Sequence, residues 1–244
     1  MHLAVTRTKY RSDPEVAAYY ARLNESVASL PGVVAAGIVN RLPLSGIAQY
    51  GRVEFQDRPG SYDSDWRSAT PGYMEAMGIP LRQGRGFSNA DTPQSAFVGI
   101  IDEKLARQVY GSESPIGKRV RRFLPGNVPQ DEWSEIVGVS GHALQINLEN
   151  DPRPQVYWPA TQNTQDRGAL AVRTAGPPES MAKAIVAKIH AVDPDQPVYD
   201  VRTAREWIDR TLQIRKLMTL LVALFAWIIA FVVGSLIGVV RTTD

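Results

Sequence analysis

Residues 111–119 read GSESPIGKR: a glycine, a short spacer and Gly-Lys, the outline of a loop that cradles phosphates. Such a loop needs Gly, four residues, Gly-Lys, then Ser or Thr. Here five residues separate Gly111 from Gly117, and Lys118 is followed by Arg119. The hydroxyl that would hold a magnesium ion on the phosphates is missing. Pro115 also removes one backbone N–H from a loop whose work is to donate them. A phosphate loop lies between a strand and a helix, but DEKLARQVYG (102–111) reads as a helix and KRVRRFL (118–124) alternates like a strand. The stretch is expected to be a helix-to-strand turn with a basic flank.

Other reactive residues fall into no chemical pattern. His2, His142 and His190 lie far apart, and no HExxH spacing occurs. The absence of cysteine excludes disulfides, thiolate catalysis and cysteine metal sites. No Gly-x-Ser-x-Gly elbow is present, and no acidic pair is singled out by spacing. GRGF (84–87) suits tight turns rather than a dinucleotide site. In ATPGYMEAMGIPL (69–81), Pro71 and Gly72 open a helix whose Tyr73, Met74 and Met77 fit core packing. The expected catalytic, cofactor-binding and metal residues are therefore none.

Charge and hydropathy say more. Leu217–Val240 is a run of 24 residues without a charge. As a helix it would extend about 36 Å, enough to cross a hydrocarbon core of about 30 Å with tilt. It reads as a transmembrane helix, flanked by Arg215 and Lys216 on one side and Arg241 on the other, too even a balance to orient it. Ala223, Ala226, Ala230, Gly234 and Ser235 give it small residues that favour close helix packing. Setting aside those three cations and the terminal Asp244, residues 1–214 carry 24 basic and 24 acidic side chains. That neutrality argues against a nucleic-acid footprint. The densest basic run, KRVRR (118–122), is followed by the acidic DEWSE (131–135) and reads as a solvated, self-compensating face. The opening residues MHLAVTRTKYRSD contain no apolar signal core.

The elements that would position these residues follow from periodicity. A short strand is expected over residues 3–8, then a helix over 12–32 with Ser12 or Asp13 as cap, Pro14 in its first turn and Pro31-Gly32 at its end. Val16, Tyr19, Tyr20, Leu23, Val27 and Leu30 form its apolar stripe. VVAAGIVNRLP (33–43) follows as a strand. GALAVRTAG (168–176), a helix with Met181, Ile185, Ile189 and Val192 on one face, and a strand in QPVYDVRTAREW (196–207) repeat that order. Two such units commonly share one sheet with both helices on one face. Between them, residues 47–165 hold short strands and two short helices, around Gly72–Met77 and Asp102–Tyr110. The expected fold class is α+β: a porter-like subdomain of two strand–helix–strand units (about 1–46 and 166–203), a strand-rich inserted subdomain (about 47–165), a helical stalk (about 204–216) and one transmembrane α-helix (217–240).

Eight stretches in this order resemble one family. They are SLPGVVAAGIVNRLPLSG, ATPGYMEAMGIPLRQGRGF, IIDEKLARQVYGSESPIGKRV, WSEIVGVSG, DPRPQVYWPA, LAVRTAG, VDPDQPVYDVRT and LMTLLVALFAWIIAFVVGSLIGVV. Together they look like the MacB/FtsX-type permeases of ABC transporters, namely a MacB-like periplasmic core domain (1–214) and the next membrane helix. The resemblance implies a non-catalytic part working with a cytoplasmic ABC ATPase subunit or domain, in a permease dimer in the lipid bilayer of the cell inner membrane. Residues 1–214 would be periplasmic and Arg241 cytoplasmic. Permeases of this type carry a preceding membrane helix and two more after this one, so the chain is expected to be a permease fragment; a stand-alone membrane-anchored binding or scaffold module is the alternative.

Overall fold

A computed structural model describes residues 1–43, 49–124, 128–129, 132–144, 153–209 and 220–226. The chain divides into two compact units, Met1–Val201 and Arg202–Asp244. The first begins with β1 (His2–Ala4), shorter than expected because Lys9 and Tyr10 turn their N–H groups back onto the Thr6 carbonyl. Next come α1 (Asp13–Ala28) and β2 (Val33–Val39). Ser12 occupies the N-cap of α1 without a side-chain cap bond; instead Glu15 reaches back to the Arg11 N–H at 2.7 Å.

β3 (Tyr50–Phe55) and β4 (Arg58–Ala69) form a hairpin, followed by α2 (Tyr73–Met77) and β5 (Leu81–Gly84). β6 (Val98–Asp102) runs directly into α3 (Glu103–Tyr110). Then come β7 (Arg119–Leu124), β8 (Val128–Pro129), β9 (Ser134–Ser140) and β10 (Gln155–Pro159). β11 (Arg167–Thr174), α4 (Pro178–Val192) and β12 (Val198–Tyr199) complete the unit. The expected strand over 196–207 shrinks to two residues: Pro197 has no N–H to offer, and Asp200 takes a φ of 56°, turning the chain out of the ladder.

All twelve strands are linked, in the order β10-β6-β9-β7-β3-β4-β2-β11-β1-β12, with β5 on β9 and β8 on β7. A parallel pairing of β10 with β4, from Gln155–Asp65 to Pro159–Ala69, closes β4, β3, β7, β9, β6 and β10 into a ring. Both faces of β6 and β10 are buried throughout. One face of the ring packs Val53, Phe55, Trp66, Val156 and Trp158 against Leu105 and Tyr110 of α3. The open section β2-β11-β1-β12 continues from the ring at the Val39–Ala69 pair.

On the open section, α1 and α4 share one core with the strands. Val16, Tyr19, Tyr20, Leu23 and Val27 meet Ile185 and Ile189 over Leu3, Ala36, Ile38 and Leu170. Each such fully buried aliphatic side chain contributes about 1.5–3 kcal/mol. A third cluster places α2 against Val39, Ala69, Ala169 and Ala171. It depends on Gly37, where an added Cβ would stand 2.2 Å from the Tyr73 Cα.

In the second unit, residues 204–209 and 220–226 are helical. The expected membrane span at 217–240 falls outside the described residues except for 220–226, where Leu220, Val222, Leu224 and Phe225 are exposed. Among the described residues no helix is long and apolar enough to cross a membrane.

Candidate functional site

The turn at 111–119 joins α3 to β7, with Gly111 and Gly117 at φ 63° and 81°. Four of its backbone N–H groups bond within the fold. Gly111 N–H goes to the Arg107 carbonyl, Glu113 to Tyr110, Gly117 to Ile136 and Lys118 to Pro115. Lys118 Nζ sits 3.0 Å from Asp57 Oδ2 and 3.1 Å from Glu113 Oε1. Tyr110 donates to Asp57 Oδ1 at 2.9 Å, and Arg58 lies over the Tyr110 ring while pairing with Glu113. Hydrogen bonds to Asp57 and Glu113 raise the Lys118 ammonium. Burial opposes ionisation of Asp57, but the Lys118 and Tyr110 bonds outweigh it and lower the carboxyl. The lysine is a tie between a hairpin and a turn.

The basic run draws on β3 and on the core as well as on the segment 131–135. Arg121 pairs with Glu54 of β3 and covers the Trp133 ring. Arg122 turns inward, donating to Asn163 Oδ1 at 2.6 Å beside Trp66, and burial lowers its guanidinium. Asp131 lies outside the described residues, and Glu135 stands opposite Arg119 in the β7–β9 register. Sequence spacing could not show that β3 lies beside β7 and adds Glu54 to these partners.

GRGF is not the expected tight turn but the end of β5 and the irregular chain after it, with the Arg85 N–H still bonded to the Val137 carbonyl of β9. A Cβ added to Gly84, at φ 71°, would stand 2.1 Å from the Val137 carbonyl oxygen, and Arg85 makes a two-pronged bond to Asp91 at 2.9 and 2.7 Å. In α2, Tyr73 is buried while Met74 and Met77 pack partly buried beside it, as core residues.

A buried polar network not visible in the sequence holds one end of the ring. Asp102 is fully buried at the N-cap of α3, accepting from Leu105 N at 2.8 Å through Oδ1. Its Oδ2 lies 2.5 Å from His142 Nδ1. Gln155 bridges onward, donating to the Ala143 carbonyl and accepting from Tyr157 Oη at 2.9 Å. His142 N–H donates to Glu103, which faces Arg82. Ser140 stands opposite Asp102 in the β6–β9 register, giving serine, histidine and aspartate in one locality. Ser140 Oγ is buried and makes no hydrogen bond to a described residue, so the His142 imidazole does not activate it. Asp102, His142 and Gln155 join α3 and β6 to the segment after β9 and to β10. The Asp N-cap could be read from DEKL; its histidine partner could not.

The three histidines stay apart: His2 stacks on Tyr199, His142 serves Asp102 and His190 lies exposed on α4. Among the described residues no group of histidine and acidic side chains has the arrangement of a metal site. Of the small residues noted in the apolar run, Ala223 and Ala226 lie in the described helix; Ala230, Gly234 and Ser235 lie outside the described residues. An open groove of about 480 Å³ lies along α4, lined by Ala182, Lys183, Val186, Ala187, His190 and Val201.

Residues 3–191 match the MacB-like periplasmic core domain. The macrolide export ATP-binding/permease protein MacB of Bartonella henselae is 29% identical over 253 aligned positions, covering 98% of this chain and 35% of the relative. The pyoverdine export ATP-binding/permease protein PvdT of Pseudomonas aeruginosa is 25% identical over 134 residues, 55% of this chain and 18% of the relative. The chain thus spans about a third or less of the length of these relatives. The crystal structure of the periplasmic region of MacB from Actinobacillus actinomycetemcomitans superposes with a TM-score of 0.52 at 13% identity, covering 89% of this chain and 91% of that one, a likeness of fold. Since the match takes in residues 3–191 of the 244, this chain belongs to the MacB-like periplasmic core domain family.

Proposed function

We propose that this chain is the periplasmic domain and adjoining membrane helix of an ABC transporter permease. It would couple ATP hydrolysis by a partner ATPase to export or to periplasmic mechanical work, without catalysis of its own. The observation that carries the reading is collinear similarity to an ATP-binding/permease protein over 98% of this chain. The uncharged run at 217–240 supports an inner-membrane anchor, and the match of residues 3–191 to a periplasmic core domain supports placing residues 1–214 on the periplasmic side. The α1–α4 core over the open section supports a porter-like part (about 1–46 and 166–203), and the closed ring supports a strand-rich insert (about 47–165). A stalk at 204–216 would connect these to the span. A permease dimer would pair two such domains.

The test is affinity purification of the tagged chain, at native expression level, from solubilised membranes. Recovery of an ABC ATPase in comparable amount is expected, with ATP turnover belonging to that subunit. ATP hydrolysis by the purified chain alone, or recovery without any ATPase, overturns the reading. Protease protection of residues 1–214 in intact cells, lost in spheroplasts, reports the side of the membrane.

A further inference from the structure

The groove on α4 has an unusual lining for a surface feature. Ala182, Val186, Ala187 and Val201 supply apolar walls, Lys183 and His190 supply the polar groups, and no carboxylate lines it. Lys183 and His190 are seven residues apart, two helical turns, or about 10 Å along one face. Lys183, Ala187 and His190 are exposed, and Val201 retains 41% of its surface. The opposite face of α4, with Ile185 and Ile189, is committed to the core. An apolar floor with cationic and donor groups at its rim complements a ligand that is anionic at one end and apolar at the other.

Chain length indicates the source of such a ligand. Val201 closes one wall of the groove, and the uncharged run begins only sixteen residues later, at Leu217. Even fully extended, sixteen residues reach about 53 Å, and about 24 Å if helical. We infer that the α4 groove is a docking surface for the anionic phospholipid headgroups of the bilayer in which the chain is anchored. Lys183 would bind the phosphate, His190 would donate to it, and the upper acyl chain would lie on Val186, Ala187 and Val201. This rests on the membrane anchorage proposed above.

The chain has no cysteine, so Ala187→Cys carries a single environment-sensitive fluorophore, and Ser61→Cys on the exposed end of β4 serves as control. The full chain is reconstituted into vesicles of phosphatidylcholine, with or without phosphatidylglycerol, containing lipid spin-labelled at the headgroup. With phosphatidylglycerol, quenching at position 187 should exceed that at 61 by about fivefold. Lys183→Ala should lower it by about the same factor, one cation at an anionic surface. Equal quenching at both positions, or quenching indifferent to phosphatidylglycerol and Lys183, overturns the inference. Resistance of the chain to carbonate extraction is scored separately. A chain that stays anchored while position 187 stays unquenched removes the groove and leaves the anchor; a chain that is extracted removes both. Shielding of position 187 that grows with protein density, without lipid quenching, assigns the groove to a second copy and overturns the lipid.

Discussion

His142 Nδ1 stands 2.5 Å from Asp102 Oδ2, while the other oxygen of the same carboxylate accepts from the Leu105 N–H at 2.8 Å. One buried group therefore both caps α3 and fastens the segment that follows β9. Losing the cap costs about 1 kcal/mol. Losing the partner of buried polar groups adds about 1–3 kcal/mol. Asp102→Ala should destabilise the domain by about 2–4 kcal/mol, read as a shifted denaturation midpoint followed by tryptophan fluorescence. Asp102→Asn keeps the capping oxygen and should cost roughly half. Equal losses for the two variants would show that the cap is energetically silent, and an Asp102→Asn without any loss would show the same of the histidine contact.

Gly37 of β2 lies directly against the backbone of Tyr73 at the start of α2. A Cβ on Gly37 would stand 2.2 Å from the Tyr73 Cα and 2.3 Å from its N. Both are backbone atoms, which a rotamer change cannot move aside. Gly37→Ala is predicted to destabilise by about 3 kcal/mol, the upper end of the range for overpacking. Gly60→Ala is a useful contrast: nothing lies within 4 Å of its Cβ, so only its φ of 91° opposes the change. A Gly37→Ala midpoint equal to that of the parent chain would show that α2 can lift from the sheet freely.

What could be read from the sequence, and what could not, follows from distance along the chain. The α1 stripe of Val16, Tyr19, Tyr20, Leu23 and Val27 is buried as its 3.6-residue period required. α2, α3 and α4 lie where capping and periodicity put them. The ring closure was hidden because β4 enters it with Ser64, Asp65, Arg67 and Ser68, polar residues that are nonetheless buried. Their burial is made tolerable by partners such as Asn163, whose carbonyl accepts from Ser68 Oγ at 2.5 Å across 95 residues of sequence. Asp102 and His142, 40 residues apart, meet only through the parallel pairing of β6 with β9. Non-local pairings of this kind leave no local periodicity to read.

The uncharged run at 217–240 makes its own prediction. An arginine near the centre of a spanning helix costs about 2.5–3.5 kcal/mol on insertion scales. Ile228 and Ile229 lie at the middle of the run. Replacing both with arginine should move the chain from the carbonate-resistant membrane fraction into the soluble or extracted fraction, while Ile228→Leu leaves it in place. A double variant that remains fully resistant would mean the chain is held by something other than this segment.

Asp193 supplies the clearest dependence on pH. Its side chain is only 3% exposed, at the C-cap of α4, with Lys9 Nζ at 2.5 Å and Tyr10 Oη donating at 2.9 Å. Burial pushes the carboxyl up, but the bonds from Lys9, Tyr10 and the Asp195 N–H outweigh it and leave the carboxyl below its ordinary value. A depressed acid stabilises the fold above the unfolded value of about 3.9 and loses that contribution as pH falls through the folded value. Asp57 and Asp91 are shifted in the same direction, so the domain as a whole should lose stability with acid. Asp193→Asn isolates one share of the loss. Because Lys9 is partly exposed and screened, its cost at about pH 7 should be modest, about 1 kcal/mol. The cost should shrink as pH is lowered toward about 3, where the parent carboxyl is itself becoming protonated. Melting temperatures of parent and variant should converge over that interval; a gap that stays constant would show that Asp193 acts through the shape of the α4 terminus and not through its charge.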